Sequence, residues 1–126
     1  MPISARVKET IKAPHGVAMS LPLMQAFMHG GVQTGSYYDY IGQLIKVYEV
    51  LESCDWLPLY DERLNRLKNM NSDISGKREH IVIRQETRGY VEYLENLVEE
   101  KDQVKLMAHY YVRYIGDLAA QLMAGL

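Results

Sequence analysis

The sequence predicts an all-α protein. Three observations carry that expectation: strand-like alternation is weak, apolar residues recur at helical spacing in several long segments, and composition is that of an ordinary globular domain. The chain has 126 residues, 48% apolar and 24% charged, enough for one domain with a single core, so residues 1–126 are read as one unit. Fourteen basic against sixteen acidic residues give a net charge of −2, which argues against a nucleic-acid surface. No apolar run approaches the roughly eighteen residues of a membrane span, and "MPISARVKET" has no secretory apolar core. One cysteine, Cys54, makes no internal disulfide and fits the cytoplasm. Ten tyrosines against one phenylalanine mean that many apolar contacts must also find a partner for a hydroxyl.

Taken in order, "ARVKETIKA" has helical propensity, and Pro14 and Gly16 on either side of His15 should kink or end that helix. Residues 37–52 place Tyr37, Tyr40, Ile41, Leu44, Val47, Tyr48 and Leu51 on one stripe. Thr34 or Ser36 is a candidate cap for that helix. After Pro58 a helix is expected over 61–70, then a loop over 71–80, whose Asn, Ser, Asp and Gly are turn formers. Residues 84–100 read as a helix with Tyr90, Val91, Leu94, Leu97 and Val98 inward and Glu92, Glu95, Glu99 and Glu100 in solvent. The last helix runs from about 102 to 123. No internal repeat or low-complexity stretch interrupts this order.

The last helix is the unusual one. At 100° per residue, His109, Val112, Gly116, Ala119 and Ala120 fall on a narrow face, with Arg113 and Asp117 flanking it on one side. Small residues there allow either a tight helix–helix contact with an i, i+4 ion pair on its rim, or close approach of something planar. Arg before Asp is the poorer order for a surface pair, and an interior glycine costs about 1 kcal/mol against alanine, so both need a reason. The four histidines show no zinc spacing, and neither a nucleophile elbow nor a phosphate-cradling glycine loop is present. Cys54 reads as a small hydrophobe.

"AHYYVRYIGDL" resembles the distal-helix signature of heme oxygenases, A-H-x-Y-x-R-Y-L-G-D-L-S-G-G-Q. "VKETIKAPH", "LMQAFMHGGV" and "YYDYIGQLIKVYEVLE" are similar to that family's N-terminal pattern, which includes a proximal histidine and L-x-x-x-Y-x-x-L-E. "LNRLKNMNSDI" and "YVEYLENL" resemble its middle helices, so the likeness covers about residues 7 to 118.

The resemblance implies a heme oxygenase-like helical bundle, here shortened after the distal helix. It implies His15 as axial ligand to heme iron and Gly116 lying close over the opposite face of the macrocycle. Asp117 would hold the water that delivers protons, with Arg113 and Tyr48 keeping that carboxylate in place. Lys8 and Tyr111 match positions that meet heme propionates, and Ala119 and Ala120 would floor the heme. The implied reaction opens heme to biliverdin, CO and iron, using O2 and electrons from an external ferredoxin or reductase. No flavin or nicotinamide motif is visible.

Three differences from the family pattern stand out. Ala119-Ala120-Gln121 replaces Ser-Gly-Gly-Gln, Met19 stands where an acidic residue often supports the proximal histidine, and Pro14 precedes His15. A shortened bundle would leave apolar faces for a homodimer to cover. The readings from other classes are a non-catalytic heme-binding or heme-sensing protein and a helical interaction protein without heme.

Overall fold

The computed structural model describes residues 2–31 and 34–123, with the side chains of residues 4, 23, 27, 28, 34 and 117–123 outside that description. Among the described residues, six α-helices follow one another: α1 (Ile3–Ser20), α2 (Pro22–His29), α3 (Thr34–Leu51), α4 (Leu67–Asp73), α5 (Gln85–Glu99) and α6 (Gln103–Met123). Two short 3-10 turns, Glu62–Leu64 and Arg78–His80, join them. No strand occurs among the described residues, as the all-α reading expects. Among these residues no helix is long and apolar enough to cross a membrane. The chain forms two compact units, Met1–Val32 with Gln121–Leu126, and Gln33–Ala120.

In the first unit, α1 corrects one expectation. It runs unbroken through Pro14 and Gly16 to Ser20. Proline removes only its own N–H, which frees the carbonyl of Thr10, and Thr10 lies on an exposed face where water can serve that carbonyl. The break falls at the next proline instead. Leu21 precedes Pro22 and is extended, φ −62° and ψ 144°, as the ring of a following proline demands. Pro22 then opens α2, where its missing N–H costs nothing. The Gln25 side-chain amide donates to the Met19 carbonyl at 2.6 Å and the Ser20 hydroxyl to Val17 at 2.7 Å, serving the last turn of α1. Gly30, at φ +73°, ends α2 in the left-handed conformation.

In the second unit, α3 is the central element and packs against α4 and α5. Its predicted stripe is buried at Ile41, Leu44, Val47, Tyr48 and Leu51, with Tyr37 and Tyr40 partly covered; Ile45 joins the core as well. From α5, Leu94 and Leu97 are buried, Tyr90, Val91 and Val98 pack beside them, and Glu92, Glu95, Glu99 and Glu100 are exposed. Gly42 is needed for close approach: a Cβ there would lie 2.5 Å from Ile81 Cγ2. Ser36 lies inside α3 and does not cap it. Thr34 is the helix's first residue, so the cap position at 33 lies outside the described residues.

The helix expected over 61–70 is replaced by two pieces. The Asp61 carboxylate accepts the Arg63 N–H at 3.0 Å and closes a 3-10 turn. Asn65 is then extended, and α4 starts at Leu67 and continues to Asp73, into the stretch expected as loop. Its start is capped from the residue that follows α3. The Glu52 carboxylate accepts the backbone N–H groups of Arg66 at 2.8 Å and Leu67 at 3.1 Å. This is the favourable place for an anion at a helix N-terminus. At the α5–α6 junction, Lys101 sits at φ +58° with its ammonium 4.9 Å from the Trp56 ring centroid. Asp102 then caps α6 by accepting the Lys105 N–H at 3.2 Å.

Candidate functional site

Helix α6 is apolar on two opposite sides. Leu106, Tyr110 and Tyr114, one turn apart, are buried in the core of the second unit, whereas Val104, Tyr111 and Ile115 are exposed. His109 is half-buried against α5. Its Nδ1 is 2.8 Å from the Tyr90 hydroxyl, and the Tyr93 ring packs edge-on at 5.4 Å. Burial, and then the charge of Arg113, hold the imidazole pKa below its ordinary value, so the neutral ring is favoured. Two turns further along the same face lies Gly116, exposed, where a Cβ would meet nothing within 4 Å. The face that the projection drew as one strip is thus covered at His109 and open at Gly116. No described neighbour requires the glycine, which removes a tight contact among these residues as its explanation.

Behind the open face, a polar network lies in the tyrosine-rich core. Tyr48, fully buried, donates its hydroxyl to the Arg113 carbonyl at 3.2 Å. The Arg66 guanidinium donates to the Tyr48 hydroxyl oxygen at 3.3 Å and lies 5.5 Å from the Tyr48 ring centroid. Tyr114 packs edge-on to Tyr48, with centroids 5.0 Å apart, and donates its hydroxyl to Glu52 at 3.0 Å. Burial first, and the Glu52 carboxylate second, push the Tyr114 phenol far above its ordinary pKa, so it remains a donor. The Tyr110 hydroxyl accepts the Asp61 N–H at 3.3 Å, and Tyr60 accepts from Asn65 at 2.9 Å. Each of these four hydroxyls finds the partner that the tyrosine excess required. Cys54 is buried in the same core, with its thiol 3.4 Å from the Val50 carbonyl, and burial raises its pKa.

Of the residues singled out from sequence, the structure brings Tyr48 and Arg113 together, through the Arg113 backbone. Tyr111 is 59% exposed on α6. His15 and Lys8 are exposed on α1, and no described residue makes a hydrogen bond or ion pair to the His15 ring. The side chains of Asp117, Ala119 and Ala120, and with them the Arg113–Asp117 pair, lie outside the described residues. Sequence reading missed Arg66 and Tyr114, and it gave Glu52 no role beyond its place in the pattern. The spacing Tyr48, Glu52 was the available signal, since i and i+4 share a helix face.

The heme oxygenase family model matches residues 1–125. The chain belongs to the heme oxygenase family. Among curated heme oxygenases, it is 25% identical to heme oxygenase 1 of Synechocystis over 93% of this chain and 54% of that protein. It is 30% identical to the heme oxygenase of Takifugu rubripes over 98% of this chain and 49% of that one. The chain therefore spans about half the length of the curated heme oxygenases it matches. The crystal structure of Synechocystis heme oxygenase-1 in complex with heme superposes with a TM-score of 0.79 at 23% identity, covering 99% of this chain and 62% of that one. The helical heme oxygenase fold expected from the resemblance is thus the fold observed.

Proposed function

We propose that this protein is a heme oxygenase, binding heme as substrate and opening it to biliverdin, CO and iron with O2 and electrons from an external ferredoxin or reductase. The observation that carries the reading is Gly116: an interior helical glycine whose missing side chain faces open space, on a helix held from behind by Tyr48. A glycine that no described neighbour requires is explained by a ligand that approaches the backbone closely.

The residues present fit heme. His15 offers an exposed imidazole to which no described residue makes a hydrogen bond or ion pair, and neutral imidazole is a natural ligand for heme iron. Lys8 and Tyr111, both exposed, supply a cation and a phenol donor for the propionates. When bound, heme supplies the oxygen chemistry itself. In this reading Asp117 holds the proton-delivering water beside Gly116, Arg113 supplies positive charge near that carboxylate, and Tyr48 fixes the helix that carries both. Ala119 and Ala120 lie along the same floor.

Purified protein is expected to take up hemin with a Soret band that His15→Ala weakens, and to form biliverdin when reductant and O2 are added. Hemin uptake without any bilin under ascorbate or ferredoxin would instead support heme binding without turnover, the reading that Ala119-Ala120 in place of glycines favours. Indistinguishable spectra for wild type and His15→Ala would remove His15 as ligand. Asp117→Ala is expected to keep hemin and lose bilin; an unchanged bilin yield would take Asp117 out of the reaction.

A further inference from the structure

We infer that α1 is a lipid-docking helix, whose uncovered aliphatic stripe seats at the surface of a membrane that carries anionic lipids. Projected at about 100° per residue, Val17, Thr10, Ile3, Pro14, Val7, Ala18 and Ile11 fall in that order across an arc of about 120°. Every one of them is exposed. Thr10 is the only polar member, and its hydroxyl donates to the Arg6 carbonyl at 2.8 Å, so the stripe presents little that lipid would have to desolvate. Pro14 leaves the Thr10 carbonyl without its helical donor, on this same face. That carbonyl sets the depth. The helix rests where hydrated headgroups still supply water, and does not sink into hydrocarbon. It lies on the membrane, consistent with there being no spanning helix among the described residues.

Charge selects the lipid. Arg6, Lys8 and Lys12 against Glu9 give the first unit a net charge of +2, while the remaining eleven cations and fifteen anions give the second −4. Attraction to an anionic surface therefore resides in α1. Arg6 borders one surface depression with Ile3, Val7, Thr10 and Ile11, and Lys8 lies just beyond the Ile11 edge of the stripe, with Lys12 farther round. Long aliphatic stems let such flanking cations reach phosphate while the stripe stays seated. No described residue forms an ion pair with Arg6, Lys8 or Lys12, so their charge is available. A second copy is the poorer occupant. A two-fold contact through this stripe would set like charges side by side, with only Glu9 to offset them.

The test is flotation of the heme-free protein with lipid vesicles. Vesicles of phosphatidylcholine mixed with phosphatidylglycerol should carry it, with binding about tenfold tighter than to phosphatidylcholine alone and weakened by salt. Val7→Ser combined with Ile11→Ser should lower binding by about tenfold or more. Arg6→Gln should lower it by about fivefold, the scale of one cation near the surface, and Lys12→Gln by about twofold. Equal binding to the two vesicles would overturn the inference, as would a serine variant that binds within twofold of wild type. If the serine variant loses its helical circular dichroism, Arg6→Gln decides, and wild-type binding by that variant sinks the inference. Failure to float with either vesicle would overturn it too; self-association in sedimentation, abolished by the serine pair, would then assign the stripe to a second copy. Hemin enters none of these readouts, so this inference and the heme reading fail separately.

Discussion

Helices α1 and α3 are both eighteen residues long, and their environments are opposite. Along α3, five side chains of one stripe are buried and two more partly covered, while along α1 Ile3, Val7 and Ile11 remain 78%, 51% and 52% exposed. No described side chain of α1 or α2 is buried, and every buried residue of the core lies between Ile41 and Tyr114. An isolated helix of this length is marginal in water, so α3 draws its stability from the helices packed on it. The division also sorts the candidate residues. His15, proposed as the ligand, is exposed on α1, whereas Tyr48 of α3 is fully buried.

The largest expected effect separates these two helices directly. Leu51→Ala, at a fully buried site, should cost about 2–5 kcal/mol in urea unfolding, as cavity-forming changes do. Ile11→Ala, at a half-exposed site, should cost under about 1 kcal/mol. Equal losses would break the contrast. Next comes Gly42→Ala, where the new methyl would meet Ile81 at 2.5 Å. Crowding of this kind should lower stability by about 1–3 kcal/mol. Gly116→Ala has the opposite expected sign, since nothing lies within 4 Å. A thermal melt should show a gain of about 0.5–1 kcal/mol from helix propensity, together with weaker hemin uptake. A loss of stability instead would mean that the glycine serves packing.

The smallest effect is a pH dependence carried by His109. Its folded pKa is held below 6.5 by burial and by Arg113, so the unfolded chain takes up a proton first as pH falls. The contribution is therefore fully present above pH 6.5 and is lost as pH drops through the folded value. Melting temperature measured from pH 8 down to 5 should fall more steeply for wild type than for His109→Gln. Parallel curves would show that α5 covers this histidine too loosely to matter.

Much of the second unit was legible because its signal is local. The apolar stripe of α3 and the inward Leu94 and Leu97 of α5 follow from 3.6-residue periodicity alone, and their burial agrees. The short pieces between them were not legible. The break between the 3-10 turn and α4 depends on Glu52, fourteen residues before Arg66, and local propensity in "DERLNRLKNM" holds no trace of that cap. Pro14 misled for the converse reason. A proline's cost depends on whether the carbonyl it frees can reach water, and only the exposure of that face shows that it can. In the candidate site, the family resemblance singled out Tyr48 and Arg113, which meet through the Arg113 backbone, whereas Arg66, whose guanidinium reaches the Tyr48 hydroxyl, belongs to no spacing pattern shared with either.

By itself the sequence determined the helical class, the stripe that builds the core and the heme oxygenase membership, because periodicity and motif spacing are written in consecutive residues. Tertiary structure decided which helix is covered, which carboxylate caps α4, that Tyr48 meets the Arg113 carbonyl and that no described residue crowds Gly116. Each of those depends on groups far apart in the chain, and a hydrogen bond or a gap exists only once folding has brought its two sides to their places.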